Sequence, residues 1–149
     1  MVYQLKELEY VIISSLHMVC NIEYNEAAKY YEESGSDITL LYKKTNNGKK
    51  HFVNCSALYL NEDNKILSIG RNIGADEKLN ISMEMFIMEK STLIDIVNKC
   101  IQTGSYNSIK APIYNEVSKF NLNAYEFKGY LQCVNSLQNY YKTSMDMLN

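Results

Sequence analysis

Apolar and polar positions along this chain alternate between two periodicities. Val11, Ile12 and Ile13 are consecutive, apolar and β-branched, which predicts a strand over Tyr10–Ser14 covered on both faces, as in a parallel sheet between helices. Tyr24, Ala27, Ala28 and Tyr31 then recur at helical spacing, so Tyr24–Ser34 is predicted as a helix stopped by Gly35. Asp37–Lys43 is a second strand, and a crossover of this length predicts that the two strands are parallel neighbours. Met1–Leu8 is too short to classify.

From Thr45 the pattern shortens. Asn46-Asn47-Gly48 is a turn signal, and short runs follow at His51–Asn54, Ala57–Asn61 and Lys65–Ile69, as in an antiparallel insertion. Gly70–Asn80 reads as a surface loop, and Leu79–Glu89 as a strand with Ile81, Met83, Met85 and Ile87 on one side. Thr92 and Asp95 resemble a capping box opening a helix whose stripe, Leu93, Ile94, Val97, Cys100 and Ile101, ends at Gly104. Ser108–Phe120 is a second helix with Pro112 in its first turn. Leu122–Phe127 is a strand, Gly129 a turn, and Ser136–Leu148 a closing helix capped by Ser136.

Composition narrows the function classes. A chain of 149 residues suits one domain. A net charge of -2 with both signs interspersed, and Arg71 as the only arginine, argues against nucleic-acid binding. Cys20, Cys55, Cys100 and Cys133 are far apart with no C-x-x-C pair, which fits cytosolic thiols better than a zinc ribbon or disulfide scaffold. No charged-then-apolar leader and no apolar run of about 20 residues is present, so a cytoplasmic protein without membrane attachment is expected.

Open α/β sheets bind ligands beyond the carboxyl ends of their strands. Here that place is Ser14–Asn21, which holds a serine pair, His17 and Cys20 but no carboxylate. No nucleophile and base stand at a telling spacing, and Gly70 and Gly74 around Arg71 match no phosphate loop. A lone histidine at a strand end is more often structural than catalytic. Tyr130, Tyr140 and Tyr141 read as packing residues, and Glu32, Glu33, Glu62, Asp76 and Glu77 as a solvated face. The residues by themselves support nothing finer than an α/β domain.

Three segments carry a resemblance further. Gly129–Asn149, GYLQCVNSLQNYYKTSMDMLN, resembles the GYW-x-DVGT-x-x-x-Y-x-x-AN-x-DLL stretch of glucose-1-phosphate adenylyltransferases (ADP-glucose pyrophosphorylases). Ile81–Met88 resembles that family's ASMGIYVF, and Glu9–Tyr24 its EYVLILSGDHIYKMDY. The wording is most similar to the GlgD-type regulatory subunit. The resemblance implies a Rossmann-like, GT-A-like nucleotidyltransferase fold, a mixed sheet with flanking helices. It covers the second half of that domain, with the N-terminal phosphate-loop part and the C-terminal left-handed β-helix outside it, which implies a sheet edge for the missing strands to cover.

Carried over residue by residue, the family's two magnesium aspartates fall on His17 and Cys133. An imidazole and a thiol are poor ligands for a hard cation. Without the metal, the charge developing on the transferred phosphoryl group loses its main stabiliser. Ser82 keeps the sugar-site serine, Glu84 stands where the family has glycine, adding negative charge near a sugar phosphate, and Arg71 is at best a displaced cation for the missing E-K-P motif. His17 and Cys133 facing each other would suit a softer ion such as zinc, though two ligands are too few for a structural site.

The resemblance therefore implies a catalytically inactive, regulatory subunit with no cofactor of its own, where active members use Mg2+. Its partner would be a catalytic adenylyltransferase subunit making ADP-glucose from ATP and glucose 1-phosphate for glycogen biosynthesis. An active nucleotidyltransferase, or a sugar-nucleotide binding module without turnover, is the alternative.

Overall fold

The structure is a computed structural model that describes residues 10–104 and 108–148; Met1–Leu8 lies outside the described residues. Its spine is an eleven-residue strand. Among the described residues the elements are β1 (Tyr10–Ile13), β2 (Met18–Cys20), α1 (Tyr24–Ser34), β3 (Ile38–Thr45), β4 (Ser56–Leu60), β5 (Ile66–Arg71), β6 (Leu79–Glu89), α2 (Lys90–Thr103), α3 (Lys110–Asn115), a 3-10 turn at Val117–Lys119, β7 (Leu122–Glu126), β8 (Leu131–Cys133) and α4 (Leu137–Asp146).

β6 is the spine because it is apolar on both faces and long enough for several partners. Along one edge it pairs antiparallel with β3, from Thr45↔Leu79 to Ile38↔Met88. The other edge is shared: β1 takes the carboxyl end, Ile13↔Phe86 to Tyr10↔Glu89, and β4 the amino end, Ala57↔Ile81 and Leu58↔Asn80. The sheet runs β5-β4-β6-β3-β7, with β1 paired to β6 off this path, and β3 with β7 is its parallel pair. β2 and β8 form a separate two-stranded ladder, Met18 opposite Cys133.

Buried residues form two clusters, one on each face of the sheet. Ala27 and Tyr31 of α1 pack with Leu41, Ile81, Met83, Met85 and Ile87, and Met18, Leu131 and Cys133 of the small ladder join them. On the opposite face Ile96 of α2 and Ile113 of α3 pack with Ile38, Leu40, Tyr42, Leu58, Phe86 and Met88.

Several expectations are corrected. β1 and β3 run in the same direction but are not neighbours, because β6 lies between them; the crossover settles direction, while an intervening strand can arrive from elsewhere in the chain. His51–Asn54 is a turn, with Phe52 and Asn54 at φ 58° and 70°. The hairpin after it is a wing of the main sheet. β5 runs on to Arg71, so the loop is shorter than expected. α2 follows β6 without a linker and its N-cap position is Glu89, leaving Thr92 inside the first turn. Its stripe is only partly covered: Ile96 is buried, while Ile94 and Val97 are exposed. The helix expected over Ser108–Phe120 breaks at Glu116 (φ -122°, ψ 39°), whose carboxylate is held by Lys99 and Lys119. Tyr130, before β8, is exposed, and so are Tyr140 and Tyr141, since α4 turns only Thr143 into the core.

Candidate functional site

The spine strand is irregular at one point, and the polar side chains gather there. Between Leu40↔Phe86 and Tyr42↔Ser82 the register of β3 against β6 shifts, so that Met83, Glu84 and Met85 stand against Leu41 alone. Glu84 sits at φ 53°, the left-handed region that suits glycine. The glycine of the family motif that Ile81–Met88 resembles falls on this residue, and the bulge supplies the reason for it. A glutamate here stores about 1–2 kcal/mol of backbone strain.

The strained backbone is held by neighbouring hydroxyls. Ser82 Oγ accepts the Glu84 backbone N–H at 3.1 Å and lies 2.8 Å from the Tyr114 hydroxyl. Tyr114 is enclosed, and burial pushes its hydroxyl up to about 12, with the nearby Glu84 charge adding to the rise and hydrogen bonds to Ser82 and Ser56 opposing it. Ser82 is therefore buried, and its hydroxyl already serves the bulge.

The Glu84 carboxylate has partners on both oxygens. Oε1 pairs with Lys110 Nζ and accepts a weak 3.5 Å bond from Ser56 Oγ, and Oε2 lies 3.4 Å from His17 Nε2. His17 Nδ1 in turn lies 2.6 Å from Ser15 Oγ, and its carbonyl accepts from Val134 N at 2.7 Å, tying the segment after β1 to the end of β8. The expected negative charge at Glu84 is thus offset by Lys110 of the same chain, with the His17 ring beside it. Arg71, the cation expected from sequence, instead sits exposed at the end of β5 opposite Ser56.

Cys133 lies at the same end of the sheet. Both it and Cys55 are buried in the same core cluster. The interaction between the two thiols holds Cys133 below its ordinary value, and the same interaction, with burial, pushes Cys55 up. The Glu84 charge raises both.

The zinc arrangement considered from sequence is not what forms: the imidazole of His17 goes to Glu84 and Ser15, and Cys133 is buried in the core with Cys55. Among the described residues no three His, Cys, Asp or Glu side chains converge as metal ligands. Nor does the donor set fit magnesium, because the one carboxylate present is already engaged by Lys110 and His17.

Sequence reasoning brought His17, Ser82, Glu84 and Cys133 to one end of the sheet and missed Lys110, Tyr114, Ser56 and Cys55. Lys110 is 26 residues from Glu84, and no periodicity or motif signals a pairing over that distance. Pro112 as a helix-start signal was the one cue, since it places α3 and hence Lys110 at a helix N-terminus.

No protein-family model matches the chain. Among curated proteins it is similar to the glycogen biosynthesis protein GlgD of Bacillus subtilis (strain 168), with 24% identity over 140 residues, covering 94% of this chain and 30% of that protein. Among solved structures it is similar to HddC from Yersinia pseudotuberculosis, with a TM-score of 0.70 and 16% identity. HddC complexed with GMP-PN gives 0.69, also at 16% identity. Both likenesses cover 95% of this chain and 56% of the solved chain. The chain therefore spans under a third of the curated relative and just over half of the solved ones. At such identities the structural likeness shows the fold alone, and the fold is the expected α/β one, with a mixed sheet between flanking helices.

Proposed function

We propose that this chain is the second half of the nucleotidyltransferase domain of a regulatory, non-catalytic subunit of glucose-1-phosphate adenylyltransferase, acting in the cytoplasm in glycogen biosynthesis. The observation that carries the reading is the state of the cleft. The two positions matching the family's magnesium aspartates are His17 and Cys133, and the one carboxylate at the bulge, Glu84, is bound by Lys110 and His17. A hard cation has no oxygen cage there, and the stabilisation it gives to phosphoryl charge is lost with it. The similarity to a protein described as acting in glycogen biosynthesis supports the pathway.

In this reading the chain's role is assembly with a catalytic adenylyltransferase subunit that makes ADP-glucose from ATP and glucose 1-phosphate. The test uses the protein alone and mixed with that subunit. Expected are co-elution of the two on a sizing column, an altered rate of ADP-glucose formation by the mixture, and none by this protein alone. Magnesium-dependent ADP-glucose formation by this protein alone, abolished in H17A, would overturn the reading.

A second reading, sugar-nucleotide binding without turnover, draws on the solved HddC complex with GMP-PN, which shares the fold. Calorimetric titration with ADP-glucose distinguishes the two. No heat accompanies the purely structural role, and saturable heat without turnover favours the binding module.

A further inference from the structure

The bend between β1 and β2 carries a serine and a histidine to the Glu84 carboxylate. Ile13 is paired with Phe86 of β6, and the His17 carbonyl accepts from Val134 N at 2.7 Å, so residues 14–17 cross from the main sheet to the small ladder with both ends held. Within this bend Ser15 Oγ lies 2.6 Å from His17 Nδ1, and His17 Nε2 lies 3.4 Å from Glu84 Oε2. Lys110 and Ser56 take the other carboxylate oxygen, which leaves Oε2 to the histidine. A carboxylate can only accept, so Nε2 carries the ring proton, Nδ1 is the free base, and the Ser15 hydroxyl donates to it. The order is that of a hydrolytic triad, nucleophile to base to orienting acid, with the roles of the two ring nitrogens exchanged.

We propose that Ser15, His17 and Glu84 form an esterase site, an activity separate from adenylyl transfer, that hydrolyses carboxylic esters with small acyl groups. Ser15 is the nucleophile, His17 the general base, and Glu84 the positioning residue that holds the imidazole. Access fits these roles. The Glu84 side chain is 12% exposed and that of His17 43% exposed, so the acid is covered while the base faces solvent. Ser14 and Leu16 on either side of the nucleophile are exposed, and the Leu16 side chain offers an apolar contact to an acyl group beside Ser15. The 3.4 Å contact is long, as catalytic hydrogen bonds often are before substrate binds.

In the first step Ser15 Oγ bonds to the ester carbonyl carbon, the carbonyl electron pair moves onto its oxygen, and the hydroxyl proton passes to His17 Nδ1. The carboxylate of Glu84 faces the imidazolium so formed. The carbonyl then re-forms, the bond to the alkoxy group breaks, and the alcohol leaves with the proton from Nδ1, which puts the acyl group on Ser15. Water attacks that acyl carbon in its turn and gives a proton to Nδ1. The bond to Ser15 Oγ breaks, the serine recovers its proton from Nδ1, and the carboxylic acid departs.

The experiment supplies the purified protein with 4-nitrophenyl acetate and, separately, with a fluorophosphonate that labels nucleophilic serines. Expected are release of 4-nitrophenol above the buffer rate, a phosphonyl group placed on Ser15 rather than Ser14 by fragment masses, and loss of turnover after labelling. S15A abolishes both signals, and H17A lowers kcat/KM about 100-fold or more. In E84Q the amide can donate to Nε2 and so favour the wrong tautomer, which lowers kcat at least about tenfold with KM unchanged. A Glu84 with only a structural role would move the urea midpoint and KM instead. The proposal is overturned if S15A hydrolyses the ester as fast as the unsubstituted protein, or if the fluorophosphonate leaves Ser15 unlabelled. Acetyl groups found on lysine, tyrosine or cysteine with Ser15 unlabelled count equally against it. If S15A does not fold, the label map of the unsubstituted protein decides between these outcomes.

Discussion

At the scale of single residues the informative position is Glu84, where a left-handed backbone and a doubly partnered carboxylate oppose one another. Alanine there removes the carboxylate and keeps the strain, whereas glycine removes both. E84G is therefore expected to be more stable than E84A by about 1 kcal/mol, the reverse of the usual order within a strand; urea unfolding of the two variants checks it, and an E84A that matches or exceeds E84G would show that the bulge carries no strain. Tyr114 gives a pH test. Its folded value is raised to about 12 from an ordinary 10.0, so the unfolded chain gives up this proton first. Its contribution is fully present below pH 10 and is lost as pH rises towards 12, amounting to about 3 kcal/mol. In Y114F the fall of stability with pH across that window should be shallower by about 1.4 kcal/mol per pH unit. At neutral pH the variant should lose about 1 kcal/mol for the missing bond to Ser82. That Glu84 stands where the motif it resembles has glycine was legible in the sequence. That its backbone keeps the glycine conformation, and that Lys110 reaches it, depends on packing between α3 and β6, which the local pattern does not encode.

Elements were legible where one periodicity ran long enough. β6 spans the residues expected of it, and α1 does too, ending at Gly35 with φ 63°. β2 and β8 were missed because three residues are too few to show a period and they are stable only as a pair, with Met18, Leu131 and Cys133 in the core. Gly129, expected as a turn, is required for a different reason as well: a Cβ there would come within 2.6 Å of Asn21 Oδ1, which holds the Tyr130 N–H. α4 shows what a cap contributes. Ser136 Oγ accepts from Asn139 N as the sequence predicted, yet the helix buries only Thr143, so little packing supports it. S136A should cost about 1 kcal/mol. Because α4 is held so lightly, the loss should appear as faster hydrogen exchange in its amides with β6 protection unchanged. Equal acceleration in both elements would mean that α4 opens only with the whole domain.

Across the molecule, the two apolar layers meet only through the sheet, and β6 contributes to both. Ile87 faces the layer under α1 and Met88 the layer under α2 and α3, and both are fully buried. Adjacent strand residues point to opposite faces, so one alanine substitution empties space in one layer only. I87A and M88A should each cost about 2–5 kcal/mol, a large share of the roughly 5–15 kcal/mol a domain has in total. If the spine makes the layers one cooperative unit, each variant lowers a single urea transition that tyrosine fluorescence and far-ultraviolet circular dichroism report at the same midpoint. Layers that fold separately would instead split the two probes in at least one variant. The double variant should be unfolded in water. Its cost need not equal the sum, because the two residues are neighbours on one backbone. The cooperative outcome also bears on the cleft, since Glu84 lies on the same strand and His17 reaches it from the β2–β8 side. In that case the arrangement of His17, Glu84 and Lys110 is lost in step with the global transition in both variants, and a histidine resonance that changes before the transition would show a site held by its local contacts alone.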